Sequence, residues 1–125
     1  MNYLLDTHVY LWLLGAPEEL SREAREAIQD PRHSVFVSAV SAAEIAIKKS
    51  LGKLDAPTGL GVEISLRGLN ELAFSFHHGE CMESLPRHHA DPFDRMLLAQ
   101  AISEKFTLVT RDRKLAAYAV SLLWT

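Results

Sequence analysis

Short apolar runs alternate along the chain with longer segments whose apolar residues recur at helical spacing, and turn-forming residues separate the two kinds. Tyr3-Leu4-Leu5 has the length and composition of a buried strand and stops at Asp6-Thr7. Val9 to Leu14 follows with helical length and ends at Gly15-Ala16-Pro17. Ser21 is placed to cap a second helix, in which Ala24, Ala27 and Ile28 share a face before Pro31 stops it. Ser34-Val35-Phe36-Val37, β-branched and aromatic, reads as a second strand. Helical spacing returns from Ala42 to Leu51 and breaks at Gly52, with Gly59-Leu60-Gly61 as a further loop. Glu63 to Leu69 reads as a short helix and Leu72-Ala73-Phe74-Ser75-Phe76 as a third strand. A long helix is predicted from Pro92, at a favoured first position, to about Lys105. Thr107 to Thr110 and Val120 to Leu123 complete five strands.

Strands that alternate with helices predict an α/β fold with a parallel sheet covered on both faces, because parallel neighbours need crossover connections. The 125 residues suit one domain over 1–125 with one continuous interior. The apolar run near the start, Val9 to Leu14, is far too short to span a membrane. A cytoplasmic protein is the expectation, and a single cysteine, Cys81, agrees with a reducing compartment.

Four acids follow strands or open helices: Asp6, Glu44, Asp94 and Asp112. Each alone has a structural use. Ser41-Ala42-Ala43-Glu44 matches a capping box, Asp94 sits in a first turn, and Asp112 can cap a helix through Lys114 and Leu115. Their joint placement points elsewhere, because ligands of an open α/β sheet bind beyond the carboxyl ends of the strands, where Asp6 and Asp112 fall. Carboxylates converging there repel by about 4 kcal/mol per pair at ~4 Å and an effective dielectric near 20, and a cation removes that cost. An oxygen-rich set without a cysteine neighbour favours Mg²⁺ or Mn²⁺ over zinc. Such an ion can activate water and stabilise charge on a phosphate. The net charge of −3 runs against the basic footprint usual for a nucleic-acid binder. With four of the 16 acids neutralised, however, twelve face 13 bases, so charge neither supports nor excludes RNA.

The four segments that hold these acids resemble the successive motifs of PIN domains. They are Leu4-Leu5-Asp6-Thr7-His8, Ser41-Ala42-Ala43-Glu44-Ile45-Ala46-Ile47-Lys48, His89-Ala90-Asp91-Pro92-Phe93-Asp94-Arg95-Met96-Leu97-Leu98-Ala99-Gln100-Ala101 and Leu108-Val109-Thr110-Arg111-Asp112. The resemblance implies a three-layer α/β/α fold whose five-stranded parallel sheet has the order 3-2-1-4-5. It further implies an Mg²⁺- or Mn²⁺-dependent ribonuclease toxin of the VapC type, a homodimer held inactive by an antitoxin protein. Asp6, Asp94 and Asp112 then correspond to metal ligands, Glu44 to a ligand or a water-orienting group, and Thr7 and Thr110 to their supports. Ala43 departs from the subgroup, which often has tryptophan before the glutamate.

Arg95 and Arg111 flank two of the proposed ligands and are candidate contacts to RNA phosphate. His77, His78, Cys81, His88 and His89 raise the question of zinc, but their spacing matches no strong signature and reads as a polar connector. Tyr10, Trp12 and Leu13 read mostly as interior residues of the first helix. Among other functions, a receiver domain needs adjacent acids after strand one, and a haloacid-type phosphatase needs Asp-x-Asp there; His8 fills that second place. A PIN-like module that binds RNA or protein without cutting is the remaining alternative, and the presence of all four acids disfavours it.

Overall fold

The computed structural model describes residues 1–125. Its five strands are β1 (Asn2–Leu5), β2 (Ser34–Ser38), β3 (Asn70–Leu72), β4 (Thr107–Thr110) and β5 (Leu122–Trp124). They form one sheet in the order β3-β2-β1-β4-β5, with every neighbouring pair parallel. The helices are α1 (Thr7–Gly15), α2 (Arg22–Gln29), α3 (Ala39–Ser50), α4 (Leu60–Leu66), α5 (Phe76–Cys81) and α6 (Pro92–Glu104), with three short 3-10 turns between elements. No helix is long and apolar enough to cross a membrane.

Period-two alternation of side chains divides the interior into two layers. Tyr3 and Leu5 of β1 and Val109 of β4 pack with Val9, Tyr10 and Leu13 of α1 and Ala24 of α2. Leu4 and Leu108 point the other way, onto Val40 of α3 and Leu97, Leu98 and Ala101 of α6. The sheet is therefore sandwiched between helices, as expected for parallel strands. Both β1 and β4 are central and buried, which is why they read as continuous apolar runs rather than as alternating ones.

The elements depart from the sequence reading where local capping outweighs apolar composition. The third strand lies at Asn70–Leu72 instead of Leu72 to Phe76, because Ser75 caps α5 and Phe76 begins it. There the Ser75 hydroxyl accepts the His78 N–H, and His78 Nδ1 accepts the Ser75 N–H, a reciprocal cap that ends the extended chain. β5 is displaced to Leu122–Trp124, and α4 starts earlier, at Leu60, behind Gly59, whose φ of 75° a glycine adopts without strain. The helix expected from Ala42 begins at Ala39 with Ser38 as its cap, so Ser41 lies inside it and forms no capping box with Glu44.

A buried polar chain fixes α6 against the sheet. The Ser38 hydroxyl donates to Gln100 Oε1 at 2.5 Å, and Gln100 Nε2 donates to the Ala73 carbonyl at 3.2 Å. His78 Nε2 in turn pairs with Glu104 Oε1 at 2.9 Å. His78 is thus a buried member of this network, not a solvated residue of a polar connector. Since Gln100 is fully buried, Gln100→Leu keeps volume but leaves the Ser38 O–H without an acceptor and the Ala73 carbonyl without this donor. It is expected to destabilise the fold by roughly 2 kcal/mol or more, measured by urea unfolding.

Candidate metal centre

Because β1 and β4 are parallel neighbours, with Leu5 opposite Val109, the residues that follow them meet at one edge of the sheet. Asp6 precedes α1 but makes no capping bond to it; its Oδ2 accepts the Thr110 hydroxyl at 2.6 Å. The same hydroxyl oxygen accepts the Asp112 N–H at 3.1 Å. One threonine thus links two of the acids. Asp112 also caps the 3-10 turn Arg113–Ala117 through the Lys114 N–H.

Asp94 lies in the first turn of α6, whose cap is Asp91: Asp91 Oδ1 accepts the N–H groups of Phe93 and Asp94 at 2.8 and 3.3 Å. The capping role is therefore taken, and the Asp94 carboxyl faces its neighbours instead. Glu44 is carried by α3, and Ser41 one turn before it touches Thr7 Oγ1 at 2.8 Å, joining the starts of α1 and α3. Glu44 is only 3% exposed. Its Oε2 is paired with Lys48 Nζ, whereas its Oε1 is buried without any hydrogen-bond partner.

His89 completes the cluster. Its Nδ1 accepts the Asp91 N–H at 3.1 Å, so the proton sits on Nε2 and is donated to Asp112 Oδ2, 2.9 Å away, while Asp94 Oδ2 lies 3.2 Å from the same nitrogen. Ligand atoms of His89, Asp94 and Asp112 lie within 4.8 Å of one another, a separation compatible with one shared cation. In the sequence His89 stood out only as a neighbour of the acids. Its signal was the turn into the Asp91 cap, which folds it back over Asp94.

The electrostatics match this crowding. Burial pushes the Asp94 carboxyl up to about 7, with further upward pressure from Asp6, Asp91 and Glu44, and His89 opposing. Asp6 is also raised by burial, with Glu44 adding and the Thr110 hydrogen bond opposing. Asp112 is partly desolvated, yet the His89 hydrogen bond and the Lys114 N–H hold it below its ordinary value. For Lys48, desolvation is outweighed by Glu44 and by Asp91 and Asp94, so its ammonium is stabilised. Asp94 and Asp112 with His89 lie close enough to share a cation, Asp6 and Glu44 are electrostatically coupled to Asp94, and Glu44 leaves one buried oxygen unpaired; carboxylates of this kind fit a hard divalent ion.

The two arginines lie on different sides of these acids. Arg95 donates from Nη1 to the Pro86 carbonyl at 2.9 Å and lines a cleft of about 420 Å³ with Arg87, His88 and His89. Arg111 donates from Nε to the Thr125 carbonyl at 3.0 Å and pairs with Glu19, while its guanidinium lies 4.2 Å from the Trp12 ring centre. Of the other histidines, His88 packs edge-on to Tyr118, and His77 Nε2 lies 3.6 Å from Cys81 Sγ. The most spacious cleft, about 680 Å³, lies between Phe74 and Glu83 and includes none of the four acids.

A sheet ordered 3-2-1-4-5 with acids at its switch point defines a class of fold, and the sequence places the chain within it. The family model of the PIN domain matches residues 3–121, and the chain belongs to that family. It is 29% identical over 118 residues to the ribonuclease VapC22 of Mycobacterium tuberculosis, covering 92% of this chain and 90% of that protein. Among solved structures, it superimposes on a chain of VapBC2 from Rickettsia felis, bound to a promoter DNA fragment, with a TM-score of 0.75. Identity there is 19%, with 99% of this chain and 98% of that one covered. Coverage and identity are the same for DNA-bound VapBC from Salmonella typhimurium, with a TM-score of 0.68. These likenesses establish the fold.

Asp94 generates a pH prediction. Without metal, folded protein keeps the Asp94 proton up to about pH 7, while the unfolded chain releases it near 3.8. Ionised Asp94 therefore opposes folding, not at all below about pH 4 and fully above about pH 7. Asp94→Asn is expected to stabilise the metal-free protein by roughly 1–3 kcal/mol near pH 8 and to lose that advantage toward pH 4. Denaturant unfolding in EDTA at both ends of this window checks the sign.

Proposed function

We propose that this protein is a metal-dependent ribonuclease, the toxin of a VapC-type toxin and antitoxin pair, acting in the cytoplasm as a homodimer with Mg²⁺ or Mn²⁺. The observation that carries the reading is the unpaired, buried Glu44 Oε1 beside Asp6 and Asp94. A module that only bound RNA or protein would have no use for carboxylates held together at such electrostatic cost. Family membership and the likeness to a ribonuclease over nearly the full chain support the same reading.

Asp6, Asp94 and Asp112 would hold the ion, with Glu44 as a further ligand or as the acceptor that orients water. A divalent ion bound there supplies activation of water and neutralisation of charge on the phosphate. The chain's own residues prepare that chemistry. The Thr110 hydroxyl fixes the rotamer of Asp6 and the backbone of Asp112, so the two carboxylates need not reorganise when charge develops. Lys48 holds Glu44 at one oxygen and leaves the other free. Thr7 and Ser41 keep the helix bearing Glu44 against the helix that starts after Asp6.

Arg95, beside Arg87 and His88, offers positive charge along the RNA backbone next to the acids. The similar structures include complexes of toxin with antitoxin, which supports an antitoxin as this chain's protein partner. Exposed apolar side chains, Val62 and Leu66 on α4 and Phe76 on α5, leave surface for protein contacts.

The test is cleavage of a panel of structured and single-stranded RNAs, including ribosomal and transfer RNA. Wild type is expected to cut with Mg²⁺ or Mn²⁺ and to stop in EDTA. Asp6→Asn, Asp94→Asn and Glu44→Gln, each shown to be folded, are expected to lower the rate by about 100-fold or more. Folded wild type that binds RNA and cuts none of the panel would leave only the binding module.

A further inference from the structure

On the side of the acidic centre away from Arg95, a second cleft of about 340 Å³ is lined by Asp6, His8, Val9, Trp12, Arg111 and Asp112. We propose that this cleft is a subsite for one unpaired nucleobase, stacked on the platform made by Arg111 and Trp12. The inference rests on the RNA-cutting reading and names the part of the substrate that the site recognises.

Three observations carry it. First, Arg111 is held as a plane rather than offered as a phosphate clamp. Its Nε donates to the Thr125 carbonyl, its Nη1 to Glu19 Oε2 and its Nη2 to the Glu19 carbonyl, so three of its five in-plane N–H groups are engaged by this chain and fix the orientation of the plane. Its guanidinium lies 4.2 Å from the Trp12 ring centre, and Trp12 in turn lies 5.8 Å from the exposed His8 ring. Flat, pre-oriented π and guanidinium surfaces of this kind are what unpaired bases stack on.

Second, the lining of the cleft is also acidic. Asp6 and Asp112 line the same cleft, so an anionic phosphate seated deep in it would meet repulsion, whereas a neutral base has ring N–H and amino groups that carboxylates accept. Third, those two acids belong at once to this cleft and to the metal centre. A base seated here is therefore on a nucleotide adjoining the phosphate held by that centre. The volume lies at the small end for ligand sites, suited to a single base rather than to a duplex.

Trp12 provides its own reporter, since the chain has only two tryptophans, Trp12 and Trp124. In a Trp124→Phe background, with EDTA present so that no cutting occurs, short single-stranded RNAs are titrated while Trp12 emission is followed. Matched RNAs carry one abasic position, moved step by step along the strand. Saturable quenching is expected, and it should be lost when the abasic position reaches one particular nucleotide. Trp12→Ala and Arg111→Lys, the second of which keeps the charge but not the plane, should weaken binding by about 5- to 100-fold. Trp12→Phe should restore most of it, separating stacking from simple loss of packing. Unchanged emission, or affinities indifferent to the abasic position, overturns the subsite. Because these titrations do not depend on cleavage, RNA cutting without quenching would overturn the subsite alone. Quenching without cutting would keep the subsite and remove the nuclease reading.

Discussion

Like charges gathered in a partly desolvated crevice set the terms for this molecule. At an effective dielectric near 20, each pair of carboxylates about 4 Å apart costs about 4 kcal/mol, a sizeable share of the stability of a small domain. Left free, such side chains would turn outward into water. Here two devices hold them. Thr110 spans Asp6 and the backbone of Asp112 with a single hydroxyl, and Lys48 anchors Glu44 from one helical turn along. His89 Nε2–H donates to Asp112, and Asp94 Oδ2 lies 3.2 Å from the same nitrogen, which partly compensates the metal-free cluster. The elevated Asp94 carboxyl reflects burial first, with the remaining repulsion from Asp6, Asp91 and Glu44 adding to it.

The sheet order makes the gathering possible. Since β1 lies between β2 and β4, the chain leaves three adjacent strands at one edge, and α3 and α6 pack on the same face. Asp6, Glu44, Asp94 and Asp112 come from distant parts of the sequence, yet Asp6 and Glu44 press electrostatically on Asp94, and His89 brings Asp94 beside Asp112. The buried Ser38–Gln100 contact has a role here beyond stability. It joins the cap of the helix that bears Glu44 to the helix that bears Asp94, and so sets how far apart those two acids sit.

Much of this was legible in the sequence, for identifiable reasons. β1, β2 and β4 are short, mostly buried and bounded by turn residues, so composition alone located them. Asp91-Pro92 marked the start of α6 because proline and a capping acid act locally. β3 and the first turn of α3 were misplaced for the converse reason. Phe74 and Phe76 look like strand residues, but the reciprocal Ser75–His78 cap commits the chain to a helix. At α3 two serines compete for the cap, and Ser38 wins because Ser41 is engaged with Thr7 across the fold. The four acids were singled out from the sequence, but His89 between Asp94 and Asp112 and Arg111 as a plane on Trp12 were not, since both depend on contacts between segments far apart in sequence.

The central claim is that the cluster is built to be completed by a divalent cation, and it is tested most directly by following thermal unfolding of wild type and Asp94→Asn as Mn²⁺ is titrated into EDTA-stripped protein. Binding to the folded state alone must raise the melting temperature as the ion saturates the site. The account predicts a saturating rise for wild type and little or none for Asp94→Asn. A wild-type melting temperature indifferent to millimolar Mn²⁺, or an equal rise in both proteins, would contradict it.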